Sequence, residues 1–180
     1  MDSDTHGLTP HRLDSGHIEA ADRTLYQWLN GRTAKGVGVV SCVHHGRDYA
    51  ATVTDFLSVS YDPPTMLLSL YSLSRIADAV LESGVWVLSL LASGQTAVAD
   101  ALSEPGAPLI ALLDNVPHHR REASSPAIVS GALAWFELRT TAVQPAATHS
   151  LIVGEVEWMG RSAGSEWGPL IRYESEYRTL

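Results

Sequence analysis

Short hydroxyl side chains are concentrated in one stretch of the sequence, residues 50–60. The stretch contains four of them, Thr52, Thr54, Ser58 and Ser60. Small hydroxylated residues let their own hydroxyls and the neighbouring backbone N–H groups approach a polar ligand closely. Asp62-Pro63-Pro64 ends the stretch, because proline fixes φ and lacks a backbone donor. The stretch therefore favours the close approach of a polar ligand.

A second chemical feature is Ser72-Leu73-Ser74-Arg75, where an apolar strand over Met66–Tyr71 is followed by an amphipathic helix. A serine N-cap, the free amides of a helix N-terminus and one arginine together supply donors, a dipole and a positive charge. This combination can bind a phosphate. The same residues also fit an ordinary capped helix after an ordinary strand, so both interpretations stay open on these residues alone.

Histidines are the remaining candidates for chemistry. His149 precedes a strand of a predicted long hairpin, where it can be catalytic or structural. His44 and His45 are neighbours on a predicted turn, and we expect their side chains to point apart. Three more occur without nearby carboxylates in the polar N-terminal segment: His6, His11 and His17. We therefore predict no metal site.

One motif suggests a different class of enzyme. Gly160-Arg161-Ser162-Ala163-Gly164 matches the Gly-x-Ser-x-Gly nucleophile elbow, which needs a strand before it and a helix after it. The following Ser165-Glu166-Trp167-Gly168-Pro169 is a poor helix start. We therefore interpret the motif as a glycine-rich turn rather than as the site of a serine hydrolase.

The composition indicates one globular domain. The chain has 180 residues, 45% of them hydrophobic and 18% charged, which is enough for a core. Its formal net charge of −8 argues against nucleic acid or an anionic membrane as the main partner. The single cysteine, Cys42, excludes an internal disulfide, and its apolar surroundings predict a buried, unreactive thiol. No membrane-length apolar run and no signal pattern are visible, so we expect a cytoplasmic protein.

The patterning predicts a mainly β domain with short helices. Helices are expected over 22–30, 74–83 and 94–103, and strands over 36–43, from Tyr49 onward, and over 66–71, 85–91, 131–143, 149–158 and 169–173. Strands separated by short helices without a βαβ repeat favour a closed or nearly closed antiparallel barrel. Residues 1–20 are expected to form a flexible arm, and 21–180 the domain. Within the undecided segment 109–130, the basic residues 118–121 fit either a solvated loop or a guide for phosphates.

Several motifs resemble the flavin reductase-like family, whose members are FMN-binding split barrels. In the first half these are Thr52–Pro64 with its Ser-x-Ser-x-Asp-Pro-Pro run, the apolar strand after it, and Ser72–Arg75. In the second half, Gly131–Glu137 and Leu151–Val156 fit the family's later strands. The resemblance covers about residues 24–178. One departure lies between the last two strands, where the family's Gly-Asp-His reads Ala147-Thr148-His149.

The resemblance implies a Greek-key-like split β-barrel that binds FMN or FAD and reduces it with NADH or NADPH. It places His149 near the nicotinamide and the Ser72–Arg75 segment at the phosphate. The implied flavin-binding residues are Thr52, Val53, Thr54, Asp55, Phe56, Ser58, Ser60, Ser72, Ser74, Arg75 and Tyr177. Family members usually form homodimers and are often the reductase component of a two-component monooxygenase.

The altered motif keeps two alternatives open. Thr148 is uncharged where the family has an aspartate, so hydride transfer is less certain than flavin binding. The protein could then bind flavin without reducing it, or could use flavin on an organic substrate of its own.

Overall fold

The computed structural model describes residues 23–103, 112–162 and 167–179. The expected arm over residues 1–20 and part of the Gly160–Gly164 motif lie outside these residues. The helices are α1 (Arg23–Asn30), α2 (Arg75–Ser83) and α3 (Thr96–Ala101). The strands are β1 (Lys35–Gly36), β2 (Gly38–His44), β3 (Arg47–Val53), β4 (Phe56–Tyr61), β5 (Pro64–Tyr71), β6 (Val85–Leu90), β7 (His118–His119), β8 (Ile128–Val129), β9 (Ala134–Ala146), β10 (His149–Gly160), β11 (Leu170–Tyr173) and β12 (Glu176–Thr179).

Seven strands form one antiparallel sheet in the order β3-β2-β6-β9-β10-β5-β4. All seven contribute side chains to a single apolar core, including the two edge strands through Val53 of β3 and Phe56 of β4. A flat sheet could not bring its opposite edges to one core, so the sheet curves into a barrel that is split between β3 and β4. The predicted class, mainly β with short helices in an antiparallel split barrel, is confirmed.

Helix α2 closes the core on one side. It packs against β2, β3, β5 and β6, and its apolar face buries Ala77, Ala79 and Val80 completely or nearly so. Ser74 caps its first turn and Gly84, at φ 67°, ends it in the left-handed conformation that glycine adopts without strain. The capping residues thus give this helix the bounds that the sequence predicted to within one residue.

A second apolar core lies beside the barrel. It joins Val37, which lies between β1 and β2, and Val39 of β2 to α3 and to Leu170 of β11. Strand β11 pairs with β1 and β12 in a three-stranded sheet, and β7 pairs with β8. The barrel and this second core therefore share β2.

The strand predicted over 131–143 is displaced. It runs from Ala134 to Ala146, and the turn predicted over 144–147 shrinks to Ala147-Thr148, with Ala147 at φ 51°. Proline at 145 is tolerated in the strand because β6 pairs with β9 only over 134–139. Beyond Arg139, β9 has β10 as its single partner among the described residues, so one side of the strand needs no donor.

The expectation for the two neighbouring histidines is wrong. The rings of His44 and His45 lie with their centroids 3.9 Å apart instead of pointing away from each other. The reason is local backbone geometry, since β2 ends at His44 and the two turn residues His45 and Gly46 have φ of 49° and 68°. In such a turn the side-chain alternation of a strand is lost.

Cys42 is buried as predicted, and burial raises the pKa of its thiol to about 12. No helix within the described ranges combines the length and the apolar character that crossing a membrane requires.

Candidate functional site

An open cleft lies where β3 passes into β4. We call it the main cleft; its volume is about 440 Å³ and it is lined by Ala34, Lys35, Gly36, Thr54, Asp55, Phe56, Leu57, Leu67 and Ser69. A neighbouring side cleft of about 420 Å³ shares Lys35, Thr54 and Asp55 with it and extends to Arg172 and Glu174. Each has the size of a small-molecule site. Polar groups line one part of the main cleft, and Leu57 and Leu67 provide an apolar part.

The Thr54-Asp55 loop forms the wall between the two clefts. Lys35 Nζ lies 2.7 Å from Asp55 Oδ1, and the Asp55 carbonyl accepts a hydrogen bond of 2.8 Å from the backbone N–H of Ser69. The loop is therefore tied both to β1 and to β5. Three of the predicted residues, Thr54, Asp55 and Phe56, lie at this site.

Two polar side chains of the main cleft were not predicted as site residues, Lys35 and Ser69. Lys35 lies in a two-residue strand that the hydrophobic pattern did not reveal. Ser69 was included in an apolar strand, although its position between two buried leucines, Leu68 and Leu70, places it on the outward face. The alternation of side chains along a strand was the signal that could have identified Ser69.

Two of the predicted hydroxyl groups have partners within the fold. Thr52 Oγ1 donates to the Ala99 carbonyl at 2.7 Å, which ties β3 to α3. Ser60 accepts a 3.1 Å bond from the Asp62 N–H and stabilises the proline turn. Val53 is buried in the barrel core, and Ser58 lies in β4 opposite Met66. The structure thus gathers only the centre of the predicted stretch, residues 54–57, at the cleft.

The Ser72–Arg75 segment lies beside the β9–β10 turn. Ser72 donates its N–H to the Thr148 carbonyl at 2.9 Å, and its hydroxyl lies 2.9 Å from the hydroxyl of Ser150. Ser74 accepts a 3.3 Å bond from the Ala77 N–H as the N-cap of α2, and Arg75 is the exposed first residue of that helix. The expected capped junction is present, and it adjoins the turn that carries His149.

His149 is exposed at the start of β10. It pairs in register with Tyr71, and the two rings meet edge to face with centroids 5.9 Å apart. The Thr148 hydroxyl lies 3.0 Å from His149 Nδ1. Thr148, which occupies the position of the aspartate in the family's motif, therefore contacts the imidazole of His149.

The cleft and the histidine lie along one face of β5. Side chains of β5 alternate, so Leu67, Ser69 and Tyr71 share the outward face. Tyr71 pairs with His149, and Ser69 pairs with Leu151 on the same neighbouring strand. Ser69 and Tyr71 are two strand residues apart, about 7 Å. An extended ligand could therefore contact the main cleft and the Ser72–Arg75 segment together.

Tyr177 lies away from the main cleft. It pairs with Arg172, whose guanidinium carbon is 5.4 Å from the centroid of the tyrosine ring, and it packs against the second core. Arg172 lines the side cleft. Tyr177 thus contacts a residue of the side cleft without lining either cleft itself.

The arginines of the basic cluster form internal ion pairs. Arg120 Nη2 lies 2.6 Å from Asp48 Oδ2, and Arg121 Nη2 lies 2.8 Å from Oε1 of the buried Glu137. These contacts join the 112–130 segment to β3 and β9. The two arginines therefore stabilise the fold. This role differs from both earlier predictions for the cluster, a solvated loop and a guide for phosphates.

Comparison with known proteins identifies the family. The family model described as flavin reductase like domain matches residues 30–180. An NADH-dependent flavin reductase of Rhodococcus sp. is 31% identical over 157 residues, which span 83% of this chain and 82% of the relative. The reductase component of a Thermus thermophilus 4-hydroxyphenylacetate 3-monooxygenase is 30% identical over 149 residues, 83% of this chain and 91% of the relative.

Solved structures agree. The flavin reductase component of a bacterial two-component tryptophan halogenase superposes with a TM-score of 0.80 at 28% identity, covering 88% of this chain and 98% of that one. An NADH:FAD oxidoreductase of Streptomyces globisporus gives 0.82 at 21% identity, with coverage of 91% and 96%, which supports the fold. The resemblance noted in the sequence is confirmed, and the chain belongs to the flavin reductase-like family.

Proposed function

We propose that this protein uses NADH or NADPH to reduce FMN or FAD and supplies the reduced flavin to a monooxygenase. The observation that carries the proposal is the main cleft, which the family's hydroxyl-rich motif reaches through Thr54, Asp55 and Phe56. The curated relatives named above are a flavin reductase and a monooxygenase reductase component, which supports this chemistry.

The residues of the main cleft fit a flavin. An isoalloxazine has an apolar edge and a polar edge, and the cleft offers Leu57 and Leu67 beside Thr54, Asp55 and Ser69. Lys35 adds a positive charge, although its ion pair with Asp55 partly balances it. These groups would hold the ring and exclude water from one of its faces.

We assign the phosphate to the junction at the start of α2. Ser72, Ser74 and Arg75 lie there, at the end of the strand face that the main cleft occupies. The free amides and dipole of the helix N-terminus favour an anion, and the guanidinium adds charge-assisted hydrogen bonds. We propose that the other predicted residues act on flavin indirectly, by holding the strands that surround the clefts. These are Thr52, Val53, Ser58, Ser60 and Tyr177.

We assign His149 to the nicotinamide side. Bound flavin would accept a hydride from the nicotinamide ring, so the protein needs to orient the two rings and exclude water. His149 is exposed next to Tyr71, and Thr148 at 3.0 Å from Nδ1 can hold the imidazole in one orientation. This contact favours reductase activity over flavin binding alone, because an orienting group is present in the altered motif.

We also propose a homodimer, with residues 21–180 as one domain in each subunit and a cytoplasmic location. Several large apolar side chains near β4 and the β5–α2 junction are about half exposed or more in the single chain: Leu57, Val59, Tyr61, Tyr71 and Leu73. Apolar surface of this kind is typical of protein–protein contacts. Sedimentation velocity would distinguish a dimer from a monomer.

An anaerobic titration tests the function. Purified protein is titrated with FMN and with FAD, and then with NADH or NADPH, while the flavin absorbance is followed. We expect binding and then bleaching of the flavin bands. Binding without bleaching would favour a flavin carrier or an enzyme with its own organic substrate. Failure of both flavins to bind would refute the assignment of the main cleft.

A further inference from the structure

Two adjacent histidines and a glutamate meet at the end of α2 that is far from Ser74 and Arg75. His44 ends β2 and His45 begins the two-residue turn to β3, and their ring centroids are 3.9 Å apart at an interplanar angle of 57°. His45 owes this position to its left-handed backbone, at φ 49°. The turn therefore brings together two imidazoles that a continued strand would separate.

Glu82 supplies a third ligand atom from α2. Its Oε2 lies 2.8 Å from His44 Nε2. One ligand atom from each of His44, His45 and Glu82 can be chosen so that all three lie within 4.8 Å of one another. The ligands come from two separate elements, the β2–β3 turn and the last turn of the helix.

Two imidazoles and one carboxylate are a donor set that zinc binds well, with a fourth position left for water. Ideal zinc–ligand bonds of about 2.0–2.1 Å place tetrahedral donor atoms about 3.3 Å apart. The donor atoms, now within 4.8 Å of one another, have to approach further when zinc binds, and His45 and Glu82, which would move, are exposed. His44 is more fixed, with 17% of its side chain exposed.

A second histidine pair in the same chain shows why the turn matters. His118 and His119 are adjacent on the extended strand β7, where consecutive side chains point to opposite sides. Their Nδ1 atoms contact different groups, the Val116 carbonyl at 2.8 Å and the Ser130 hydroxyl at 3.4 Å. Adjacent histidines are thus not enough, and the pair on β7 provides a matched control.

We propose that His44, His45 and Glu82 bind one Zn²⁺ ion, with water as the fourth ligand. The ion links the β2–β3 turn to the C-terminal end of α2. It stabilises the position of the helix whose N-terminal end begins at Arg75. The site is separate from the two clefts and does not depend on the proposed flavin chemistry.

Zinc titration of the full-length protein, freed of metal with a chelator, tests the proposal. The starting protein carries His6→Gln, His11→Gln and His17→Gln, so that the N-terminal histidines do not contribute. Competition with a chromophoric chelator measures zinc affinity, and Co²⁺ absorption reports the coordination geometry. We expect one equivalent bound, with intense Co²⁺ bands of a four-coordinate site, and a higher unfolding temperature with zinc.

Substitutions at the proposed ligands test whether zinc binds at this site or elsewhere on the protein. His45→Ala and Glu82→Gln should each weaken zinc binding at least tenfold and remove the zinc-dependent rise in unfolding temperature. His118→Ala with His119→Ala should leave both unchanged. Both ligand variants change exposed side chains, and circular dichroism would verify that they fold. Equal zinc affinity in the starting protein and in the ligand variants, or no zinc bound at micromolar concentration, would overturn the proposal.

Discussion

The hydroxyl groups around the candidate site fall into two sets. Thr52 and Ser60 donate or accept within the fold, to Ala99 and within the proline turn. Thr54 and Ser69 instead line the main cleft. A hydroxyl that already has a protein partner contributes to stability, with a typical net value of about 0.5–1.5 kcal/mol. Ligand contacts are therefore expected at Thr54 and Ser69 before Thr52 or Ser60.

Replacement of Arg75 by alanine should weaken FMN binding. Loss of one charge-assisted hydrogen bond to phosphate costs about 1–3 kcal/mol, so the Kd for FMN should rise about fivefold to 150-fold. Riboflavin, which has no phosphate, should bind both proteins equally. Flavin fluorescence quenching measures both affinities.

Arg47→Ala is the matched control for that experiment. Arg47 is also exposed, but it begins β3 beside the β2–β3 turn, away from the start of α2. Its FMN affinity should equal that of the unsubstituted protein. An unchanged FMN affinity in Arg75→Ala would place the phosphate elsewhere.

Replacement of His149 by alanine should lower turnover with NADH and NADPH about tenfold or more, as for loss of a well-placed hydrogen-bonding group, and leave flavin affinity unchanged. Thr148→Val, which keeps the side-chain shape but removes the hydroxyl 3.0 Å from Nδ1, should cause a smaller fall. Anaerobic stopped-flow measurement of flavin bleaching separates these rates. Full turnover in His149→Ala would mean that the residue is structural.

At the scale of elements, α2 connects the proposed phosphate site with the proposed zinc site. Its N-terminal end has Ser74 and Arg75 beside the β9–β10 turn, and its last turn has Glu82 beside His44. Between them, Ala77 and Val80 are fully buried against the barrel. The helix is therefore held by its apolar face, while Arg75 and Glu82 at its two ends are exposed.

The packing of β10 against the core side chains of β6 and β9 requires glycine at 154. A Cβ there would lie 2.8 Å from Cζ2 of Trp86 and 3.0 Å from Cβ of Leu138, both fully buried. Gly154→Ala should therefore lower the free energy of unfolding by about 1–3 kcal/mol, because a packed core resists an added methyl. Urea denaturation followed by tryptophan fluorescence measures the change.

Gly94→Ala provides the comparison for that strain. A Cβ at 94 would meet Trp167 at 3.9 Å, which is ordinary contact. Its free energy of unfolding should change by less than about 0.5 kcal/mol. If Gly154→Ala were equally mild, the side chains of Trp86 and Leu138 would have to move aside easily.

At the scale of the whole molecule, charge is distributed unevenly. The formal net charge is −8, yet Lys35 and Arg172 line the clefts and Arg75 begins α2. Local cations affect an anion more than distant carboxylates do, since salt screens charges beyond about 8–10 Å. An acidic protein can therefore bind a phosphate or a dinucleotide at these places.

Cys42 reports on unfolding of the barrel. It is fully buried in β2, and burial raises the pKa of its thiol to about 12. The thiolate is the reactive form, so a thiol reagent should label the native protein very slowly at pH 8. At pH 9 the labelling should be about tenfold faster but still slow, because both pH values lie far below the pKa of about 12. Labelling should become rapid at denaturant concentrations that unfold the protein. Fast labelling of native protein would mean that the barrel opens locally at β2.

The sequence by itself determined the class of fold, the family and most of the elements. Strand alternation, apolar helix faces and capping residues such as Ser74 and Gly84 act over a few neighbouring residues, so they can be read without tertiary information. The same holds for the core position of Cys42. The motifs of the central stretch likewise indicated flavin chemistry before any geometry was known.

Only the tertiary structure decided which side chains meet. Thr52 and Thr54 look alike in sequence, but the first bonds to Ala99, 47 residues away, and the second lines the main cleft. Lys35 forms an ion pair with Asp55, 20 residues away in the sequence. Glu82 of α2 contacts His44 of β2. Such contacts depend on how the sheet curves and where α2 packs, which are properties of the whole core and are not encoded in any local pattern.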